Sequence, residues 1–387
     1  MCPTRATKEQ PVAEFTWEQM TAWIVRRQHL DERVPKKSML GVAAEICGLH
    51  AQLMSSAELT LWARVDGIQR EDVRHALWEK RSLIKTWAMR GTLHLLPSKE
   101  FPLWQAALSN YDHFRKGQWL RYNKVTEKDM DRLIDSVAEA LDDRVLTREE
   151  LAKAVATDTR SKKLGELVRG SWGSMLKPAA FAGGLCFAPS VGQNVRFTNP
   201  HSWLSKYKEK DPRKSLLGVV RRYLGAFGPA AREDLARWWA VITPAQALRL
   251  IKELGNEVVP VDVGEERMWM FASDVDEMAS LPKLKRSVRL VPAFDQFVVN
   301  VSRRAGQLMP GPFKAKVYRK SAWISPVVLV NGRMDGVWKH ERKGSRLIVA
   351  VEPFVELPAW TRKAVEKEAA SLADFFELEL DLSWSNP

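Results

Sequence analysis

Cysteine is scarce in this chain: three occur in 387 residues, at positions 2, 47 and 186. An odd number so widely spaced signals neither a disulfide framework nor a cysteine-rich zinc or iron–sulfur site. The seven histidines show no metal-ligand spacing either. No run approaches the ~20 apolar residues that span a bilayer. Lys8 and Glu9 stand where a secretory signal would place an apolar stretch. There is no low-complexity tract, and no cluster of carboxylates offers the metal ions of a nuclease their ligands. These absences argue against membrane, secreted and metal-dependent classes and leave a cytoplasmic protein with no membrane partner as the expectation.

What is present is ordinary globular material, 45% hydrophobic and 28% charged. At this length one core does not suffice, and two to four domains of roughly 60 to 150 residues are expected. The net charge is +13, and it is concentrated. Between Leu281 and Arg346 stand fifteen Lys and Arg residues, Lys339 and Arg342 among them, against Asp295, Asp335 and Glu341. Phe313, Tyr318, Trp323 and Trp338 are interleaved with them. Such a segment suits a phosphate-tracking surface, because each neutralised phosphate releases condensed counterions. A solvated basic face, or one for RNA or a membrane surface, is the alternative.

One plan, a few amphipathic helices followed by a short strand pair, recurs three times. In the first copy Thr16 to Arg27 and Leu40 to Leu49 have helical spacing, Ser55-x-x-Glu58 reads as a capping box, and Glu71 to Lys80 makes another helix. Leu83 to Thr86 and Thr92 to Leu96 then form a hairpin around Arg90-Gly91. The second copy runs from a helix over Thr126 to Leu141, through a box at Thr147-x-x-Glu150 and a helix near Gly165 to Phe181, to strands Leu185 to Ala188 and Asn194 to Phe197. The third has helices over Leu216 to Ala226 and Arg232 to Trp239, and one capped at Thr243 with Pro244 and Gln246 behind it. Its strands are Val258 to Val263 and Arg267 to Phe271. Trp238-Trp239 reads as core.

Helices followed by a hairpin wing describe the winged version of the helix-turn-helix. From Val288 the pattern turns to β-branched and aromatic runs with turns at Asn331-Gly332, Asp335-Gly336 and Lys343-Gly344. A helix over Trp360 to Ala373 follows, then a strand in which Phe376, Leu378, Leu380, Leu382 and Trp384 alternate with polar residues. The expected fold is therefore α+β: winged helices over 15–102, 103–199 and 212–280, then a basic β-barrel or sandwich over 285–387.

The most informative short stretch is Gly48-Leu49-His50-Ala51-Gln52, read as the end of a helix. Side chains two apart on a helix face nearly opposite ways, so His50 and Gln52 serve one cleft only where that helix frays or bends. The stretch is similar to the Gly-Leu-Gln-X-Gln segment of the AlkZ/YcaQ-type DNA glycosylases. Arg90-Gly91-Thr92-Leu93-His94 resembles that family's wing, and Pro292-Ala293-Phe294-Asp295 its Pro-X-Phe-Asp segment. Gly332-Arg333-Met334-Asp335-Gly336-Val337-Trp338 resembles its Gly-Arg-X-X-Gly-X-Trp hairpin. The matches keep the family's order from about Trp17 to about Leu382.

The resemblance implies three tandem winged helices and a carboxy-terminal barrel around a DNA channel. It also implies a monomeric, monofunctional glycosylase that acts on alkylated purines of double-stranded DNA, including bulky N7 adducts and interstrand crosslinks, without a cofactor. The family's catalytic pair falls on His50 and Gln52. His replaces Gln at the first position, which keeps a hydrogen-bonding group there but alters its length, tautomer choice and possible charge. By itself a helix-end histidine is usually satisfied by a backbone carbonyl; the surrounding segments turn the reading toward chemistry. Arg90, Asp295 and Arg333 read either as ion pairs or as DNA contacts and support for the site. The rival is a winged-helix regulator without chemistry, a class that usually binds palindromes as symmetric dimers.

Overall fold

A computed structural model describes residues 10–170, 173–302, 305–309 and 311–385. Arg303 and Arg304 of the basic segment lie outside the described residues. The chain divides into two compact units, one of Pro35–Val219 with Trp239–Val241, the other of Met1–Val34, Val220–Trp238 and Ile242–Pro387. No helix among the described residues is long and apolar enough to cross a membrane.

In the first unit the helix Met39–Glu45 ends four residues earlier than its apolar spacing predicts. Cys47 and Gly48 both take positive φ, 63° and 84°. Their N–H groups return to the carbonyls of Ala44 and Ala43 at 3.1 and 2.7 Å, the paired bonds that close a helix through a left-handed residue. A Cβ on Gly48 would lie 2.6 Å from Leu96 Cδ2 and 3.0 Å from the Leu95 carbonyl oxygen, so only glycine fits. The chain leaves this turn as the short strand Leu49–His50.

That strand pairs antiparallel with Leu93–Pro97, which pairs in turn with Leu83–Trp87, giving a three-stranded sheet. The hairpin thus forms where the sequence places it. The capping box at Ser55 does not. Helix Met54–Trp62 is preceded by Leu53 with no side-chain cap. The Glu58 carboxylate instead accepts from Arg70 and Arg74 of the next helix, Arg70–Trp78.

The second copy begins with Glu127–Ala140 and Arg148–Asp158, held by the reciprocal boxes Thr126–Asp129 and Thr147–Glu150. The single helix expected over Gly165 to Phe181 is two, Lys162–Gly170 and Lys177–Phe181. Between them Gly173 has φ 91°, and a Cβ there would strike the Trp87 ring at 2.6 Å. Trp87 also lies 4.8 Å from the Phe187 ring, which seats the first wing on the second, Cys186–Val191 and Asn194–Thr198.

The third copy, all but a few residues of it in the other unit, keeps its expected elements. Helices Arg232–Trp239 and Pro244–Lys252, the latter boxed by Thr243 and Gln246, precede the hairpin Val258–Val263 and Glu266–Phe271. Trp238 and Trp239 are buried, as read. Helix Trp17–Arg27, read as part of the first copy, belongs to this unit: strand Glu14–Phe15 just before it adds parallel to Val258–Val263.

Beyond it lies a five-stranded sheet in the order Val288–Val291, Val327–Val330, Arg333–Lys343, Arg346–Pro353, Glu379–Trp384. Among the described residues its two edge strands do not pair, so the expected barrel is an open sheet. The last strand joins parallel after the crossover helix Ala359–Phe376, and that helix covers the Val288–Val291 edge through Glu368. Asn331-Gly332 and Lys343-Gly344 turn the chain between strands. Asp335-Gly336 does not: Met334 pairs with Leu329 and Gly336 with Val328, leaving Asp335 as the extra residue of a bulge.

Candidate active site

His50 stands on the strand Leu49–His50, opposite His94 of the first wing. The two rings meet edge to face, centroids 5.3 Å apart and planes at 72°. His50 is 4% exposed and His94 fully buried. Nδ1 of His94 donates to the Thr92 carbonyl at 3.1 Å, since a carbonyl can only accept. Burial, reinforced by the Arg90 guanidinium, holds the His50 imidazole down at about 3. His94 is held well below its ordinary value by burial first, then by His50 and Arg90, against the pull of the Thr92 carbonyl. At neutral pH both rings are therefore neutral hydrogen-bonding groups, and neither is a proton donor of useful acidity.

Arg90 occupies the hairpin turn with φ 59°. It lies against Tyr111, which hydrogen bonds to the Trp239 carbonyl. Burial drives this phenol up, while Arg90 pulls it down through its backbone and its charge. Beside the turn, the Lys177 ammonium lies 3.4 Å from where a Gly91 Cβ would stand. Gln52 falls in the bend between the strand Leu49–His50 and helix Met54–Trp62 and is exposed. The motif is thus not a frayed helix end. A buried neutral imidazole and an exposed amide follow each other out of a strand.

The sequence reading did not single out His94, Tyr111 and Lys177. His94 was visible as the last residue of the wing segment. Tyr111 and Lys177 carried no signal, because only the folded chain brings them to Arg90. Among the described residues, no group of three or more His, Cys, Asp or Glu is placed to hold a metal ion.

The other sequence candidates lie in the second unit. Asp295, fully buried, caps the short helix Gln296–Asn300 by accepting from the Phe297 N–H at 2.9 Å. Arg333 binds Asp335 at two points, 2.6 and 3.0 Å. Lys339 and Arg342 are exposed on the strand Arg333–Lys343, and Arg342 Nε donates to the Gly344 carbonyl. Of the interleaved aromatics only Trp323 is substantially exposed, at 39%. Trp338 is core, its indole N–H donating to the Val291 carbonyl, and Phe313 stacks on Phe354.

The AlkZ-like DNA glycosylase family matches residues 43–375, a span that includes the His50 strand and the five-stranded sheet but its last strand. The chain belongs to the AlkZ-like DNA glycosylase family. An interstrand DNA cross-link repair glycosylase from Streptomyces sahachiroi is 35% identical to the AlkZ-like chain over 362 residues, covering 92% of the chain and 96% of the relative. The solved structure of Streptomyces sahachiroi DNA glycosylase AlkZ matches it with a TM-score of 0.86 at 34% identity, over 96% of this chain and all of that one. The AlkZ-like chain is thus an enzyme of the glycosylase class with a mixed α+β fold.

Proposed function

We propose that this enzyme is a monofunctional, cofactor-independent glycosylase that hydrolyses the N-glycosidic bond of N7-alkylated purines in duplex DNA, with His50 and Gln52 as its catalytic pair. The observation that carries this reading is His50: a neutral imidazole, buried beside Arg90, two residues from an exposed amide. An N7-alkylated purine is already cationic, so it departs without an enzyme acid. When the C1′–N9 bond breaks, the electron pair goes to the base, which becomes neutral, and the sugar takes on oxocarbenium character. Water then bonds to C1′ and releases its proton.

A group held near 3 is too weak a base to keep that proton at neutral pH, so His50 orients the water and solvent takes the proton. Gln52 steadies the water and the developing sugar cation through its amide oxygen. A charged histidine would repel both the cationic base and the cationic sugar, and this is what burial and Arg90 prevent.

Lys85 supports the absence of a lyase step. Burial lowers its ammonium to about 8, which makes it a competent amine. It pairs with Leu95 one step along the sheet from the His50–His94 row, and alternation puts it on the opposite face.

The S. sahachiroi relative is named for interstrand cross-link repair, and the proposal extends that substrate class to this enzyme, acting as a cytoplasmic monomer. The basic residues Lys339, Arg342 and Arg333 would meet phosphates. The test is heat-and-alkali strand cleavage of a duplex carrying one 7-methylguanine, and of one carrying a bulky N7 adduct. Cleavage by wild type and none by the His50→Ala, Gln52→Ala double variant supports the proposal. Equal cleavage by both sinks the site assignment. Absence of cleavage on either duplex, with binding to an inverted repeat, would favour the regulator.

A further inference from the structure

His94 has no place in the mechanism above, yet it is the most deeply buried polar group beside His50. It is 0% exposed, and its Nε2 has no hydrogen-bond partner among the described residues. An unpaired ring nitrogen in a dry interior is destabilising. Its position is specific. The Ala51 N–H bonds to the Leu93 carbonyl at 2.7 Å, so the ladder straddles residues 50 and 94 and makes them a non-hydrogen-bonded pair. In such pairs the Cα atoms stand about 4.5 Å apart and the side chains are closest. Thr86, 1% exposed, continues the same row on the third strand.

We propose that His94 is a positioning residue for His50: anchored by its Nδ1–H bond to the Thr92 carbonyl, its ring edge fixes the orientation of the His50 imidazole toward the Gln52 side of the strand. This rests on the reading of His50 as catalytic. The anchor lies only two residues away, just before the strand Leu93–Pro97, so it is short and stiff. The His50 ring lacks rotational freedom only while the His94 ring holds its angle, because the contact is edge to face and its energy depends on that angle. His94 also stays neutral, because burial first and then the neighbouring His50 and Arg90 disfavour a second proton on its ring against the pull of the Thr92 carbonyl, and it adds no charge beside the cationic sugar.

The test is a double-mutant cycle in single-turnover excision of 7-methylguanine, with duplex affinity and thermal melting measured for each variant. His94→Ala is expected to slow excision tenfold or more with unchanged affinity, and to have no further effect in a His50→Ala background. His94→Phe keeps the ring volume but not the Thr92 bond. It is expected to lose part of the rate, again only when His50 is present, and it carries the test if His94→Ala does not fold. Nitrogen-15 shifts of the His50 ring are expected to change in His94→Phe. Equal losses with and without His50 would overturn the proposal. If His50→Ala itself excises normally, the catalytic reading fails instead.

Discussion

Glu58 and Arg74 are joined across adjacent helices by a 2.9 Å hydrogen bond whose carboxylate end is only 2% exposed and whose guanidinium end is half in solvent. The asymmetry decides what a substitution costs. In Glu58→Ala the arginines regain water, so the loss is that of the charge-assisted bonds, about 1.5–3 kcal/mol. A denaturant titration should show a lower midpoint with unchanged slope. Arg74→Ala leaves Arg70 to serve the carboxylate and should cost less.

Acid should destabilise the fold before it touches catalysis. The folded His50 titrates at about 3 against an ordinary 6.5, so below 6.5 the unfolded chain takes up a proton that the folded one refuses. Stability is complete above 6.5 and falls as the pH descends toward 3, by about 2 kcal/mol at pH 5 from this residue alone. His94 acts in the same direction. Melting curves between pH 7.5 and 5 should show the loss, and it should shrink in His50→Gln. Excision by the folded enzyme should show no step from His50 over that range.

Gly48→Ala should weaken the enzyme more than its size suggests. The residue combines φ 84° with a Cβ position 3.0 Å from a backbone oxygen, and the left-handed region alone costs a side chain about 1–2 kcal/mol. Relief requires the strand Leu49–His50 to move. We therefore expect a melting point several degrees lower together with an excision rate reduced beyond the loss in folded protein.

Duplex affinity as a function of salt should rank the basic residues. Removing a side chain that neutralises one phosphate lowers the slope of log affinity against log salt by about 0.9. Lys339→Ala and Arg342→Ala should each approach that value. Arg333 is already neutralised by Asp335, so Arg333→Ala should change the slope less, and Asp335→Asn should steepen it.

Hairpins and capped helices were legible in the sequence because their signals are local. Thr126, Thr147 and Thr243 each stand three residues before the partner that closes their box, and Gly264 marks a two-residue turn. The carboxy-terminal sheet misled at Asp335-Gly336, where a turn dipeptide is used as a bulge. The motif itself misled most. Apolar spacing continues through Leu49, but two left-handed residues at Cys47 and Gly48 end the helix, and only packing against Leu95 and Leu96 requires them to. Of the proposed site, His50, Gln52 and Arg90 stand out in the sequence, while His94, Tyr111 and Lys177 come beside them through pairings that no local pattern encodes.

The extra residue at Asp335 sets the phase of everything after it. From Gly336 onward the strand alternates out of step with its first half, and that shift lets Trp338 turn inward while Lys339 turns out. Deleting one residue here would invert the remaining strand, carrying the indole to solvent and the ammonium into the core. The extra residue therefore sets the facing of the whole basic half of this central strand, and substitutions around it keep that facing whereas an insertion or deletion reverses it.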